Sequence, residues 1–238
     1  MIFNKSIVIS LKSAEERRQR IIDQNINHEF FDAIDGSSMS DDEFRANVSN
    51  EGYDEYIKND KKRNRSSINK TGLGLCLSWK SIVENITEPT LIMEDDVVVC
   101  DNFYKKLNAA VRFVPMWDVL YLSWNNCDWP IGKKINEYAT HIVQRPLEKS
   151  KGDDVTVHGT GALIIHNKCK DSFLSMFPAS LSIDSEICNK LIRTKKINSY
   201  LLRYKSQRLA INDNLGGSEI GDETEHKWSD FKGWNKKQ

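Results

Sequence analysis

Residues 6–11, Ser6-Ile7-Val8-Ile9-Ser10-Leu11, form a short β-branched run that predicts a buried strand. Lys12-Ser13-Ala14-Glu15-Glu16-Arg17-Arg18 follows at once and predicts a helix reaching about Gln24. Ser13 is placed to cap it, with Glu16 three residues later as the capping-box partner. Phe30-Phe31-Asp32-Ala33-Ile34-Asp35-Gly36 then reads as a second short strand closed by an Asp-Gly turn. Strand, helix, strand is the opening of an α/β fold with a parallel sheet.

The alternation continues downstream. In residues 72–86, Leu75, Trp79, Ile82, Val83 and Ile86 have helical spacing. Thr90-Leu91-Ile92-Met93 predicts a hydrophobic strand that runs straight into Glu94-Asp95-Asp96 and then continues apolar. Residues 101–113 predict a helix, and 117–123 another buried strand. Residues 155–166 read as strand, turn, strand. Helices follow at 168–177 and 183–192, and a late strand at 199–204. Two stretches stand apart. Residues 37–70 are a polar insertion with a basic cluster at Lys58, Lys61, Lys62, Arg63 and Arg65, predicting one or two short helices and a mobile loop. The tail, 216–238, is polar, with Trp228, Phe231 and Trp234 among lysines. That pattern suits either packing on the body of the domain or peripheral contact with a membrane surface. No internal repeat and no linker interrupts the chain. Residues 1–238 therefore read as a single α/β domain, with a mostly parallel central sheet flanked by helices.

Composition agrees. A chain of 238 residues, 39% hydrophobic and 29% charged, is an ordinary globular chain of one-domain size. Lys+Arg and Asp+Glu are 34 each, so the net charge is zero, which argues against nucleic acid as a partner. No apolar run approaches the ~20 residues of a transmembrane helix. The start is too short and too polar for a signal peptide. The cysteines (Cys76, Cys100, Cys127, Cys169 and Cys188) are odd in number and form no CxxC pair, which predicts reduced thiols and a cytoplasmic setting.

Glu94-Asp95-Asp96 carries the most chemical information. Adjacent carboxylates at the end of an apolar strand repel one another and lose hydration. Folding tolerates them more readily around a hard divalent cation such as Mn²⁺ or Mg²⁺. They fall outside the carboxyl end of a strand, where open α/β sheets bind ligands. A metal there can bridge nucleotide phosphates and neutralise a departing diphosphate. The alternative is an acidic turn satisfied by nearby lysines or backbone N–H groups. There is no P-loop, no GxSxG elbow and no HExxH, and Gly72-Leu73-Gly74 lacks the third glycine of a dinucleotide fingerprint. His158 and His226 are the histidines placed to complete a metal site built from distant strands. Trp124 and Trp129 flank a loop after a core strand, suited to sugar stacking or to packing.

The order of these pieces resembles glycosyltransferase family 25, the group of bacterial lipooligosaccharide galactosyltransferases and animal collagen galactosyltransferases. Four stretches carry the resemblance. They are Val8-Ile9-Ser10-Leu11 with Glu16-Arg17-Arg18, Phe31-Asp32-Ala33-Ile34-Asp35-Gly36, Gly74-Leu75-Cys76-Leu77-Ser78-Trp79, and Leu91-Ile92-Met93-Glu94-Asp95-Asp96-Val97. Weaker echoes lie at Trp117-Asp118-Val119-Leu120-Tyr121-Leu122, Gly161-Ala162-Leu163-Ile164-Ile165, Ile183-Asp184, and Gln207 with Ser218-Glu219-Ile220. Trp79 stands where the family has histidine, Leu75 where it has cysteine, and Glu219 where it tends to have aspartate.

The resemblance implies a GT-A-like fold and a metal-dependent transferase. Such an enzyme moves a hexose (galactose, glucose or N-acetylhexosamine) from a UDP-sugar to a glycan, lipooligosaccharide or protein hydroxyl, with inversion. The acidic triplet then serves as a DxD-type motif, with Asp96 and Glu94 nearest the metal and Asp95 a ligand or a supporting acid. Leu11, Arg17, Asp35, Lys70, Ser78, Glu94, Asp95, Thr160 and Gly161 are the implied donor-side residues, with Asn69 beside them. Arg17 either reaches a phosphate or pairs with an acid. Asp35 either touches the nucleotide or closes its turn, and Thr160-Gly161 marks either a close approach to the sugar or a plain hairpin. Asp184 and Glu186 are the candidate catalytic bases, unless they only form a helix N-terminus behind Ser182. Two other functions remain open. One is a catalytically silent member that binds a nucleotide sugar or glycan, and the other is a metal-dependent nucleotidyltransferase or phosphohydrolase.

Overall fold

The computed structural model describes residues 2–59, 68–124, 132–143, 157–205 and 207–212. The basic cluster beyond Lys58, Cys127, Trp129, the start of the 155–166 stretch, and the tail with His226, Trp228, Phe231 and Trp234 lie outside those residues.

The expected opening is present. Strand β1 (Lys5–Ser10), helix α1 (Glu15–Asp23) and strand β2 (Glu29–Asp32) form a unit in which the two strands pair in parallel. Ser13 does not cap α1, however. Ala14 is the cap residue, with no side-chain bond, because a tight turn from Leu11 brings the Ala14 N–H onto the Leu11 carbonyl at 3.0 Å. The polar insertion contributes α2 (Asp41–Asn47), which carries a full capping box from Ser40 to Glu43, and α3 (Asn50–Asn59). Both dock on the body: Phe44 and Val48 are buried, and Val48 bridges to Ala179.

Helix α4 (Lys70–Val83) follows, then β3 (Thr90–Glu94), β4 (Val97–Val99), α5 (Phe103–Val111) and β5 (Val119–Tyr121). The buried stripe of α4 begins at Leu73 and Cys76 rather than Leu75, which is only half-buried. Strands β6 (Gly132–Lys134), β7 (Ala139–Ile142) and β8 (Ala162–Ile165) lead to α6 (Lys170–Leu174) and α7 (Ile183–Glu186). A π-helical turn, Ile187–Ile192, continues α7. Strands β9 (Ser199–Tyr204), β10 (Gln207–Arg208) and β11 (Ala210–Asn212) end the described chain.

The main sheet has the order β2-β1-β3-β8-β5-β9-β7-β6, with β10 on β9. Strands β1, β2, β3, β5, β6 and β9 run one way, and β7, β8 and β10 oppose them. Strand β8 pairs with β3 on one side and β5 on the other, so among the described residues it is not the second arm of a hairpin.

Period-two alternation divides the core between the two faces of the sheet. Ile7, Ile9, Ile92, Tyr121, Leu163 and Leu201 face one side, with Trp79 of α4, Phe173 of α6 and Ile183 of α7. Val8, Leu91, Met93, Leu120, Ile164 and Leu202 face the other, with Ile21 of α1 and Leu107 of α5. The helices thus form layers on both faces of the sheet. No helix among the described residues is long and apolar enough to cross a membrane.

Two glycines set how closely α4 approaches the turn after β2. A side chain at Gly36 would collide with the Lys70 carbonyl, and one at Gly74 with the Ile34 carbonyl. Gly36→Ala is therefore expected to cost about 1–3 kcal/mol in urea unfolding, as overpacking does. An unchanged midpoint would show that α4 shifts freely.

Candidate active site at the carboxyl edge of the sheet

Parallel pairing of β1 with β3 ends Ser10 and Glu94 at one edge of the sheet. The strand order reverses there, because β2 lies on one side of β1 and β3 on the other. The crevice outside such a switch point is where open α/β sheets bind ligands. Strand β8 runs the opposite way, so it starts at this edge and delivers Thr160 and Gly161 beside Glu94. The Glu94 N–H donates to the Gly161 carbonyl at 2.8 Å, and Thr160 Oγ1 donates to Glu94 Oε1 at 2.6 Å.

Each acid of the triplet has its own anchor. Asp95 Oδ2 accepts from Ser10 Oγ at 2.7 Å, and its Oδ1 meets Arg17 Nη1 at 3.3 Å. Asp96 Oδ1 accepts from Asn212 Nδ2 at 3.0 Å. The Asn212 side-chain oxygen, Oδ1, in turn accepts from Ser123 Oγ. Only glycine fits at 161, because a Cβ there would overlap the Asn212 amide. Asp184, at the start of α7, completes the rim. Its Oδ2 accepts from the Gly159 N–H at 3.1 Å, and its Oδ1 from Ser182 Oγ at 2.6 Å and the Ser185 N–H at 2.8 Å. Gly159 has a φ of 88°, a conformation that favours glycine.

These placements create a strained negative field. Burial, reinforced by the neighbouring charge of Asp96, pushes the Glu94 carboxyl up to about 8, and Asp184 and Asp95 add to the effect. Burial also raises Asp96, against the hydrogen bond from Asn212. Two carboxylates in this state are hard oxygen donors short of positive charge. They fit a Mg²⁺- or Mn²⁺-type ion, which takes one or two protein carboxylates and completes its shell with phosphate and water. Among the described residues, no group of three His, Cys, Asp or Glu side chains converges as an all-protein metal cage.

The profile of glycosyltransferase family 25 (LPS biosynthesis protein) matches residues 3–184, most of the chain and all of this rim except Asn212. The protein belongs to glycosyltransferase family 25. Procollagen galactosyltransferase 2 of Homo sapiens is 28% identical over 137 residues, and that of Mus musculus 27%. Each match covers 51% of this chain and 21% of the relative, so the chain spans about a fifth of those proteins' length. Among solved structures, a UTP-bound UGPase from Acinetobacter baumannii aligns with a TM-score of 0.43 at 9% identity, covering 88% of each chain.

For this family member, the structure brings together Leu11, Arg17, Glu94, Asp95, Asp96, Thr160, Gly161 and Asp184 from the sequence-predicted set. Arg17 pairs with Asp95, an acid on a different element rather than one on its own helix. Leu11 sits half-buried at the turn leaving β1, its carbonyl closing that turn. His158 lies next to Gly159 on the same rim.

Four predicted residues are placed elsewhere. Ser78 is buried in α4, where its hydroxyl accepts from the Ile34 N–H at 2.9 Å and donates to the Gly74 carbonyl at 2.8 Å. Lys70 pairs with Asp41 at 2.7 Å, which raises its pKa, and neighbouring Asn69 caps α4. Asp35 closes its own turn: Ser37 donates to it from both hydroxyl and N–H and lowers its pKa. Glu186 is buried, with Oε1 accepting from the Ser180 and Leu181 N–H groups and Oε2 paired with Lys190 at 2.8 Å. Its negative charge therefore faces the α7 turn rather than the crevice. Trp79 is wholly buried against Phe173, with ring centroids 6.1 Å apart.

Ser10, Arg18, Ser123 and Asn212 were not legible as site residues. Arg18 donates to the Ser10 carbonyl at 2.9 Å and pairs with Asp32, fixing the end of β1. A cleft of about 200 Å³ lined by Lys5, Ser81 and Thr90 lies at the opposite end of β1 and β3, away from all of these groups.

The Glu94 shift has a definite sign. Its folded-state pKa lies above its ordinary value of 4.5, so the folded protein holds this proton more tightly than the unfolded chain. Stability should fall as pH rises from about 4.5 to about 8, by at most ~1.4 kcal/mol per pH unit. His141 and His166, whose pKa values are lowered mainly by burial, act in the opposite direction below their ordinary value of 6.5. Comparing wild type with Glu94→Gln in metal-free buffer isolates Glu94. The variant should lose the slope and gain stability at pH 8, and an unchanged slope would assign it to another group.

Proposed function

We propose that the protein transfers a hexose from a UDP-sugar, with a divalent cation such as Mn²⁺ or Mg²⁺, to a hydroxyl of a glycan, glycolipid or protein acceptor. The observation that carries this reading is the row of immobilised carboxylates at the β1/β3 switch point. Glu94 and Asp96 are positioned to hold the cation, and Asp95 keeps Arg17 at the mouth of the crevice. When bound, the cation would offset the negative charge of a diphosphate leaving group.

Asp184 suits the role of base. Its Oδ2 accepts one bond, from Gly159, and retains a lone pair for an acceptor hydroxyl. In a single displacement, the acceptor oxygen bonds to the anomeric carbon, the bond from that carbon to the diphosphate breaks, and the acceptor proton passes to Asp184. Inversion at the anomeric carbon follows. The Thr160 hydroxyl and the Asn212 amide hold the acids in place before the donor arrives, so little reorganisation is needed at the moment of reaction. Trp79, the departure that favours a silent member, is a core residue packed on Phe173 and supplies no group to this rim.

Thermal unfolding with UDP, UDP-galactose, UDP-glucose and UDP-N-acetylglucosamine, in Mn²⁺ or chelator, tests the donor. A ligand at a hundred times its Kd should stabilise by about 2.7 kcal/mol. Asp96→Ala should abolish that shift while remaining folded. No shift with any nucleotide, from a well-folded sample, would overturn the proposal. Asp184→Asn should lower kcat for UDP release about 10²–10⁴-fold, with donor affinity nearly unchanged. A variant of full activity would exclude Asp184 as the base.

A further inference from the structure

Three large apolar side chains stay exposed where the end of α5 meets the β6–β7 turn. Phe113, just past α5, is 51% exposed, Met116 is 83% exposed, and Ile135, in the turn, is 40% exposed. The two segments are joined. Asn136 Nδ2 donates to the Phe113 carbonyl at 2.9 Å, and the Phe113 ring stacks on Tyr138 with centroids 4.7 Å apart. Tyr138 in turn meets the ring of Tyr204, the last residue of β9, edge-on at 5.9 Å. Both tyrosines are half-buried and pack on the core of that face. Val114 and Trp117 also pack inward on it, which leaves Met116 outward on an anchored loop. Cations border this apolar surface. Arg112 is exposed and directly precedes Phe113. Lys133 lies opposite His141, on the face that carries Tyr200, and Lys205 Nζ is 6.0 Å from the Tyr204 ring. Among the described residues, none of these three cations is in an ion pair with a carboxylate. Glu137, the acid in the turn, is engaged by the Tyr138 hydroxyl. Arg203 and Arg208, on β9 and β10, lie over Trp124 on the opposite face and take no part.

We propose that this face docks the protein on an anionic phospholipid bilayer. A contiguous exposed apolar surface rimmed by polar groups marks an interaction site. Here each part suits a lipid interface. Phe113, Met116 and Ile135 can enter the boundary of the acyl chains, and tyrosines sit well at the level of the headgroups. Arg112, Lys133 and Lys205 would meet the negative potential of the lipid surface. The unbranched side chain of Met116 adapts to a surface of no fixed shape. Charge decides between a bilayer and a second copy of the chain. A two-fold contact presents the same patch on both partners, so each copy would set its cations near those of the other. That juxtaposition is repulsive, whereas acidic headgroups complement it. Strand β9 runs the same way as β3, so Tyr204 ends it at the edge of the sheet where Glu94 ends β3. The docking face therefore reaches the edge that carries the acids. Lipid docking by this face does not depend on the transferase reading.

The test is sedimentation of the full chain with vesicles of phosphatidylcholine, alone or mixed with phosphatidylglycerol. Wild type is compared with Met116→Ser, Phe113→Ser and the double variant Lys133→Gln/Lys205→Gln, with far-UV circular dichroism as the check on folding. Wild type should bind the mixed vesicles, bind phosphatidylcholine alone about tenfold more weakly, and lose affinity as salt is added. The lysine double variant and each apolar variant should weaken binding to mixed vesicles about fivefold or more. If Phe113→Ser does not fold, because its ring stacks on Tyr138, Met116→Ser tests the apolar part alone. Failure of folded wild type to sediment with mixed vesicles at low salt would overturn the proposal. Equal binding by all variants would place the contact elsewhere in the chain, residues 216–238 included, and would overturn the assignment of this face. Sedimentation equilibrium without vesicles should show a monomer. A wild-type dimer that Met116→Ser dissociates would give the face to a second copy of the chain and overturn lipid docking.

Discussion

The constraint on which the site depends is the burial of negative charge where β3 leaves the sheet. Burial raises the cost of ionising both Glu94 and Asp96, the charge of Asp96 adds to it at Glu94, and that of Asp95 adds to it at Asp96. Each surrounding element supplies one compensating group. Strand β1 gives Ser10, helix α1 gives Arg17, the approach to β8 gives Thr160, and β11 gives Asn212. None of these groups fully neutralises the pair. Arg17 is paired with Asp95 and its charge also favours the ionised form of Asp96, while the others are neutral. The fold thus holds two buried carboxylates in place through hydrogen bonds from neighbouring elements, at a cost that burial raises for both.

The backbone that makes this possible is legible in the sequence to a large extent. Strands buried on both faces read as unbroken apolar runs, and Ile7-Val8-Ile9, Leu91-Ile92-Met93 and Val119-Leu120-Tyr121 are such runs. The acid triplet is legible because charge directly after such a run has few structural explanations. The partners of those acids are not. Asn212 lies 116 residues from Asp96 and 89 from Ser123, and a single asparagine after Leu209-Ala210-Ile211 has no local signature. The one available hint was Gly161, whose missing side chain admits the Asn212 amide.

Local chemistry misled where two roles share a residue type. Ser13 and Glu16 have the spacing of a capping box, but the chain turns at Leu11 and starts the helix one residue later, so neither is used that way. Ser78 and Asp35 are polar groups in matched motifs, yet Ser78 holds α4 against the turn at 34–37, where Gly36 and Gly74 permit close approach, and Asp35 closes that turn on Ser37. The Ser78 hydroxyl is spent on a backbone N–H, that of Ile34, which the close packing partly removes from water. Asp184 and Glu186 are two residues apart and were equivalent as bases on sequence. The helix separates them by about 200°, at 100° per residue, so one faces Gly159 at the rim and the other faces the turn beneath.

The antiparallel strand β8 was the least predictable part of the sheet and has the largest consequence. A parallel strand at that place would begin at the far edge and bring its carboxyl end to the site. Reversing it brings the start of the strand, Thr160-Gly161, to Glu94, and places the residues before it against α7. One reversal therefore connects the acids at β3 with Asp184, although β3 and α7 belong to separate parts of the chain. It also separates β3 from β5, so that the edge becomes a line of chemically distinct positions. Carboxylates lie at β3, polar neutral groups at β8 and the end of β5, and guanidiniums at β9 and β10. Opposite charges therefore lie at opposite ends of that line, which gives the edge a direction as well as a place.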